Sequence, residues 1–160
     1  MSELRVGIGL DAHAFSDDAP LVLGGVEFPG ERGLAGHSDG DVVAHALIDA
    51  ILGAAGLGDI GELFPSGDPA WLDASSMRLL QRAYEVVKGA GWALVNADCI
   101  LIGEEPRIAP VRDAMRARLA GAVGVELDRI AVRATTTDEL GFTGRREGLA
   151  AEAVALLRRG

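Results

Sequence analysis

The stretch Gly36-His37-Ser38-Asp39-Gly40-Asp41-Val42-Val43-Ala44-His45-Ala46 holds two of the chain's three histidines and opens directly into an apolar helical pattern. Val42, Val43, Ala46, Leu47, Ala50 and Ile51 recur at three- and four-residue steps, which predicts a helix from Asp39 to Ala55. Ser38 followed by Asp41 has the S/T-x-x-acid spacing of a helix start, where a side-chain oxygen caps a free backbone N–H. On that helix Asp41 and His45 are one turn apart and share a face, with Asp49 one turn further. His37 lies just ahead of it, where free N–H groups and the macrodipole favour phosphate. Taken alone, the stretch is equally compatible with a capped, solvated helix entrance carrying a structural histidine.

Outward toward the N-terminus, Leu4 to Leu10 alternates as a first strand and runs into Asp11-Ala12-His13. Residues two apart on a strand point to the same side, so the Asp11 carboxylate and the His13 imidazole can address one point. Leu21 to Phe28 reads as two short strands around a Gly24-Gly25 turn, and a glycine-rich loop leads to Gly36. Past the helix, the glycines and prolines of segment 56–69 forbid a regular element, leaving a binding loop or a connector. Met77, Leu80, Ala83, Tyr84 and Val87 mark an amphipathic helix from Ala74 to Ala90, with Ser75 or Ser76 near its start. Trp92 to Ile102 reads as a buried strand, Val111 to Ala122 as a third helix, and Ile130 to Thr137 as a strand ending in hydroxyls. Gly141 to Arg145 is a loop flexible enough to wrap a ligand. Gly148 to Leu157 is ambiguous: its Ala and Leu content suits a helix, its position after a tight loop suits a strand. With no repeat or linker, the order fits one domain over residues 1–160, an α/β sandwich with helices packed on a sheet.

Composition narrows the function classes. Apolar residues are 49% of the chain and charged residues 24%, a globular balance. The net charge of −9, without a basic stripe, argues against a nucleic-acid binder. No apolar run reaches membrane-span length and no signal-peptide layout opens the chain. Cys99, the single cysteine, sits in an apolar run and suits a buried thiol in a reducing compartment.

Asp11, His13 and His45 together make a three-ligand set that leaves a tetrahedral ion one open position, the catalytic arrangement. Such an ion can bind a phosphoryl oxygen and withdraw charge from phosphorus. Thr135, Thr136, Thr137 and Arg145 supply the hydroxyl and guanidinium donors that phosphates need, and Asp138 and Glu139 the carboxylates for a Mg²⁺ bridging a diphosphate. Singly, the threonines suit ordinary strand propensity and Arg145 a solvated surface; phosphate chemistry accounts for all of them together.

The chain resembles the family of 2-C-methyl-D-erythritol 2,4-cyclodiphosphate synthases of the non-mevalonate isoprenoid route. The resemblance rests on Gly9 to His13, His37 to Asp41 with His45, Gly58 to Gly61, Phe64-Pro65, Pro106 to Ile108, and Ala134 to Asp138 continuing through Gly141 to Arg145. It implies a mixed four-stranded sheet with helices on one face and a small β-hairpin, the last segment being a strand. It also implies a homotrimer with active sites between neighbouring subunits. The implied reaction is an intramolecular phosphoryl transfer. The 2-phosphate of 4-diphosphocytidyl-2-C-methyl-D-erythritol 2-phosphate attacks the β-phosphorus, closes the cyclic diphosphate and expels CMP, which makes the enzyme a phosphorus–oxygen lyase.

By matching positions, Asp11, His13 and His45 would hold Zn²⁺ or another divalent transition metal, and His37 and Thr136 would stabilise the transition state. Asp59, Ile60, Gly61, Phe64, Pro65, Ser66, Gly67 and Asp68 would hold the methylerythritol phosphate end, and Asp11, His13, His37 and Ser38 would also contact the substrate. Gly103, Glu104, Glu105, Pro106, Arg107, Ile108 and Ala109 would form the cytidine pocket. Thr135, Thr136, Thr137, Asp138, Phe142 and Arg145 would close over the phosphates, with Asp138 on Mg²⁺ or Mn²⁺. Five positions depart from the pattern: Asp138 stands where Glu is usual, Arg146 where Gly is common, Ser66 where Asp is frequent, and Glu104 and Glu105 put charge beside the nucleotide pocket, which requires both to face solvent. Competing readings are a metal-storage trimer on the same fold and a metal phosphohydrolase using water. The lack of a transit segment suggests a bacterial cytoplasmic protein, though a mature plastid chain would look the same.

Overall fold

The computed structural model describes all residues from Met1 to Gly160. Its backbone is a mixed sheet of five strands in the order β4-β1-β7-β5-β6, formed by β1 (Glu3–Ser16), β4 (Gly33–Leu34), β5 (Ala93–Ile102), β6 (Ile130–Thr135) and β7 (Gly148–Arg159). The expected four strands are all present; the fifth is β4, a two-residue edge element paired with Phe15 and Ser16 of β1, too short to leave a periodic signal. β7 lies in the middle, antiparallel to both β1 and β5, while β5 and β6 run parallel. Parallel neighbours need a crossover, and helix α4 (Arg112–Val123) supplies it. A hairpin of β2 (Val22–Leu23) and β3 (Val26–Glu27) turns at Gly24-Gly25, both at positive φ.

Helix α1 (Val42–Ala55) is buried nearly all round and lies across β1 and β7. Small residues make that approach possible. Gly7 and Gly9 of β1 pair with Ala155 and Ala153 of β7, and Ala46, Ala50 and Ala54 of α1 sit over the two glycines. A Cβ on Gly9 would stand 1.9 Å from the Ala46 carbonyl oxygen, and one on Gly7 2.0 Å from that of Ala50. The alternation Ala151, Ala153, Ala155, Leu157 buried and Glu152 exposed settles segment 148–159 as a strand. Its alanine content, which suggests helix, is what lets α1 sit close. Helix α3 (Ser76–Gly89) packs beside α1 with Leu79, Leu80, Ala83 and Val87 buried.

Three local readings change. The first helix begins at Val42, not Asp39, and its N-cap is Asp41, whose carboxylate accepts the Ala44 N–H. That carboxylate also accepts the Gly24 and Gly25 N–H groups at 2.9 and 2.8 Å, so it faces the hairpin turn and not His45. Burial pushes its pKa up to about 6 against the pull of those donors. Segment 56–69 is not wholly irregular: Asp59 caps a single turn, α2 (Ile60–Leu63). Likewise Gly141–Gly144 forms one helical turn, α5, where a flexible loop is expected. No helix is long and apolar enough to cross a membrane.

Candidate active site

Strand β1 and helix α1 bring the three expected metal ligands together. Asp11 and His13 stand on the same side of β1, and the close seating of α1 over Gly9 carries His45 to them. One ligand atom from each residue falls within 4.8 Å of the others. Asp11 Oδ2 is 2.9 Å from His13 Nε2 and 3.0 Å from His45 Nδ1. The His13 Nε2 atom is buried, yet its angle to Asp11 makes no hydrogen bond. A buried nitrogen aimed past its neighbour, beside a carboxylate oxygen and a second imidazole, fits a divalent transition metal with mixed N/O ligands. Burial works to raise the Asp11 pKa, but the two imidazoles outweigh it and hold the carboxyl at about 2. The adjacent Asp11 carboxylate raises His13 above its ordinary value.

These ligands form one wall of a cavity of about 450 Å³ lined also by His37, Ser38, Ile60, Gly61, Phe64, Pro65, Ser66 and Gly67. The opposite wall is held by Asp49, one turn beyond His45 on α1, which accepts the Ile60 N–H at 2.7 Å and so docks α2 to the helix. His37 reaches toward the Asp68 carbonyl at 3.5 Å, too long to fix the ring. Asp68 itself caps the 3₁₀ turn Pro69–Trp71, and Asp59 is spent as the α2 cap. Trp71 and Leu79 complete the lining. Neither was expected there, although a tryptophan inside a glycine- and proline-rich segment is a signal for a wall residue; Trp71 meets Phe64 edge-on at 4.8 Å.

The remaining expected residues gather elsewhere. Residues 103–109 and 135–138 do not line this cavity. They meet each other at the C-terminal ends of β5 and β6, where Glu104 accepts the Glu139 N–H at 2.8 Å and Gly103 donates to the Thr135 carbonyl. Glu105 is exposed, whereas Glu104 is half-buried and one of its carboxylate oxygens accepts the Glu139 N–H. Thr136 is exposed, with Oγ1 3.4 Å from Asp138 Oδ1, and Thr137 bonds Thr143. Asp138, Glu139 and Arg146 all adopt positive φ, a conformation non-glycine residues rarely take. Phe142 borders a smaller cavity that shares His13 with the first. Arg145 is held by Glu147, and Arg107 is exposed.

The profile of the YgbB family matches residues 4–158. The 2-C-methyl-D-erythritol 2,4-cyclodiphosphate synthase of Moorella thermoacetica is 57% identical over 154 residues, covering 96% of this chain and 94% of its own. Among solved structures, the bifunctional IspDF from Campylobacter jejuni has a TM-score of 0.96 at 44% identity, covering all of this chain and 43% of that one. A CDP-bound 2C-methyl-D-erythritol-2,4-cyclodiphosphate synthase has a TM-score of 0.87 at 38% identity, covering 96% of this chain and 99% of its own.

Proposed function

The chain belongs to the YgbB family, and on that premise we propose that it converts 4-diphosphocytidyl-2-C-methyl-D-erythritol 2-phosphate to 2-C-methyl-D-erythritol 2,4-cyclodiphosphate and CMP. The observation that carries the reading is the convergence of Asp11, His13 and His45 on the wall of a cavity that also holds His37. A Zn²⁺ or similar ion held by these three supplies Lewis acidity toward a phosphoryl oxygen.

The 2-phosphate is already anionic, so the protein's task is positioning and charge neutralisation more than proton removal. One oxygen of that phosphate forms a bond to the β-phosphorus as the bond from β-phosphorus to the bridging oxygen breaks, and CMP leaves with that oxygen. His37 offers an N–H to the charge that develops. Ser38 and the Ile60–Asp68 wall seat the methylerythritol phosphate end, with Asp59 holding the turn that presents it. Residues 103–109 take the cytidine, and Thr135 to Asp138, Phe142 and Arg145 close over the diphosphate, with Asp138 toward Mg²⁺ or Mn²⁺.

The separation of the two residue groups on one chain supports an active site shared between subunits of a homotrimer. A ready contact surface supports it too. Leu4, Val6, Ile8 and Leu10, 61–68% exposed, form one apolar stripe on the sheet face opposite α1, an unusual feature for a surface meant to stay in water. Each subunit works as a single domain over residues 1–160, a phosphorus–oxygen lyase of the bacterial cytoplasm. The single thiol, Cys99, is buried, and burial pushes its pKa to about 12, as suits an unreactive core residue.

The test is ³¹P NMR of the protein with this substrate, Zn²⁺ and Mg²⁺. Signals of CMP and a cyclic diphosphate are expected. CMP with an open diphosphate would mean that water is the nucleophile, and no reaction with zinc bound would mean a binding protein.

A further inference from the structure

A second set of side chains stands behind His45, on the side away from the metal ligands. His45 Nε2 lies 2.8 Å from Ser76 Oγ and 3.0 Å from Ser38 Oγ. Ser76 is fully buried at the first turn of α3. Its hydroxyl is hydrogen-bonded to Asp39 Oδ1, and its N–H donates to Asp39 Oδ2 at 2.9 Å. Asp39 Oδ1 also accepts the Asp41 N–H at 3.2 Å.

For a neutral His45 ring, the proton inventory of this chain of contacts has one consistent solution. A carboxylate offers only acceptors, so the Ser76 hydroxyl gives its single proton to Asp39. Ser76 Oγ then presents a lone pair to His45 Nε2, which must carry the ring proton. Ser38 makes no second side-chain bond and can turn to suit. With the proton on Nε2, His45 Nδ1 is bare and faces Asp11 Oδ2 at 3.0 Å. Two lone pairs at that distance repel unless a proton or a metal cation lies between them, and the buried His13 Nε2 borders the same point, which gives a metal a third donor.

We propose that Asp39, acting through Ser76, fixes the Nε2–H tautomer of His45 and so commits Nδ1 to the metal. This rests on the metal-site reading of Asp11, His13 and His45. Ser76 and Asp39 are positioning residues: outer partners that orient a ligating histidine change metal affinity by about 10- to 100-fold when removed. They also tie the start of α3 to the loop before α1, so a purely structural role must be separated from a tautomeric one.

The experiment uses the ¹⁵N-labelled full-length chain. Long-range ¹H–¹⁵N correlation reads the His45 tautomer without metal, and competition with a chromophoric chelator reads Zn²⁺ affinity. Asp39→Ala leaves Ser76 in place but frees its proton to donate to Nε2. A shift of His45 toward the Nδ1–H form and a 10- to 100-fold weaker Zn²⁺ affinity are expected. Ser76→Ala should weaken Zn²⁺ to the same degree, and Ser76→Thr should restore it. Ser75→Ala, which removes only the α3 cap, should lower the melting temperature and leave both readouts unchanged. If Asp39→Ala and Ser76→Ala keep the Nε2–H form and wild-type Zn²⁺ affinity, the proposal is overturned while the metal site stands. If the wild-type chain binds no Zn²⁺, or His45→Ala binds it equally well, the metal-site reading falls and takes the proposal with it. Should Ser76→Ala fail to fold, Asp39→Ala against Ser75→Ala decides alone.

Discussion

At the scale of the residue, protons compete for the site. Without metal, the folded pKa of His13 lies above its ordinary 6.5, so the stability from its pairing with Asp11 is full below 6.5 and is lost as pH rises through the folded value. Asp11 has the opposite sign: held at about 2 against an ordinary 3.8, its contribution is present above 3.8 and lost as pH falls toward 2. A metal needs His13 deprotonated. Zn²⁺ affinity should therefore rise roughly tenfold per pH unit below the His13 pKa and level off above it, with Asp11 adding no dependence near neutrality. A chelator-competition series from pH 5 to 8 checks this; a flat profile would remove His13 from the ligand set. Arg107 is exposed. If it serves the cytidine pocket, Arg107→Ala should weaken CDP by about 10-fold, the worth of one charge-assisted hydrogen bond. Calorimetric titration with CDP reads it, and an unchanged affinity would take Arg107 out of the pocket.

At the scale of the element, the site depends on how closely α1 lies on β1 and β7. Gly9→Val would drive a branched side chain into the Ala46 carbonyl, 1.9 Å from where its Cβ must stand. A loss of about 3 kcal/mol or more is expected, enough to unfold a marginal domain. Gly67→Ala, with nothing within 4 Å of the new Cβ, should stay within about 0.5 kcal/mol. Urea denaturation of the pair measures both. The α1 cap is a second test. Asp41→Ala orphans the N–H groups of Gly24, Gly25 and Ala44 together, at a cost of about 3 kcal/mol. Because burial raises the Asp41 pKa to about 6, the folded state holds its proton more tightly than the unfolded one, and stability falls as pH climbs from about 4 to 6. The variant should lose that slope, which denaturation curves at pH 4, 5 and 6 would show.

At the scale of the whole molecule, the single chain places the candidate metal ligands on the wall of one cavity and the expected nucleotide and phosphate loops outside it. Assembly through the β1 stripe would join one subunit's ligands to its neighbour's loops. Ile8 is 68% exposed in the single chain, so Ile8→Glu should leave each subunit folded and disrupt only the contact between them. Sedimentation equilibrium should give about three times the 16.6 kDa chain mass for the wild type and a lighter species for the variant, with turnover lost in parallel. A wild-type chain that turns over as a monomer would exclude the shared site.

The pairing of Asp11 with His13, the apolar helix and the hairpin were legible in the chain itself, because each depends on local spacing: Asp11 and His13 two apart on a strand, apolar steps of three and four after Asp41, paired glycines at a turn. So was the family, through motifs spread from Gly9 to Arg145. Other features required the folded chain. The composition of Gly148–Arg159 favours a helix, yet small residues at every second position are what a central strand needs where a helix lies close. Asp41 shares a helical face with His45 in a periodicity argument, but hairpin donors distant in sequence capture its carboxylate. Ser76 lies 31 positions from His45, and no spacing rule joins them. Local periodicity determined most of the helices and strands and the pairing of Asp11 with His13 on one strand face; tertiary packing decided which polar groups meet, because partners brought together by a sheet crossing leave no period in the sequence.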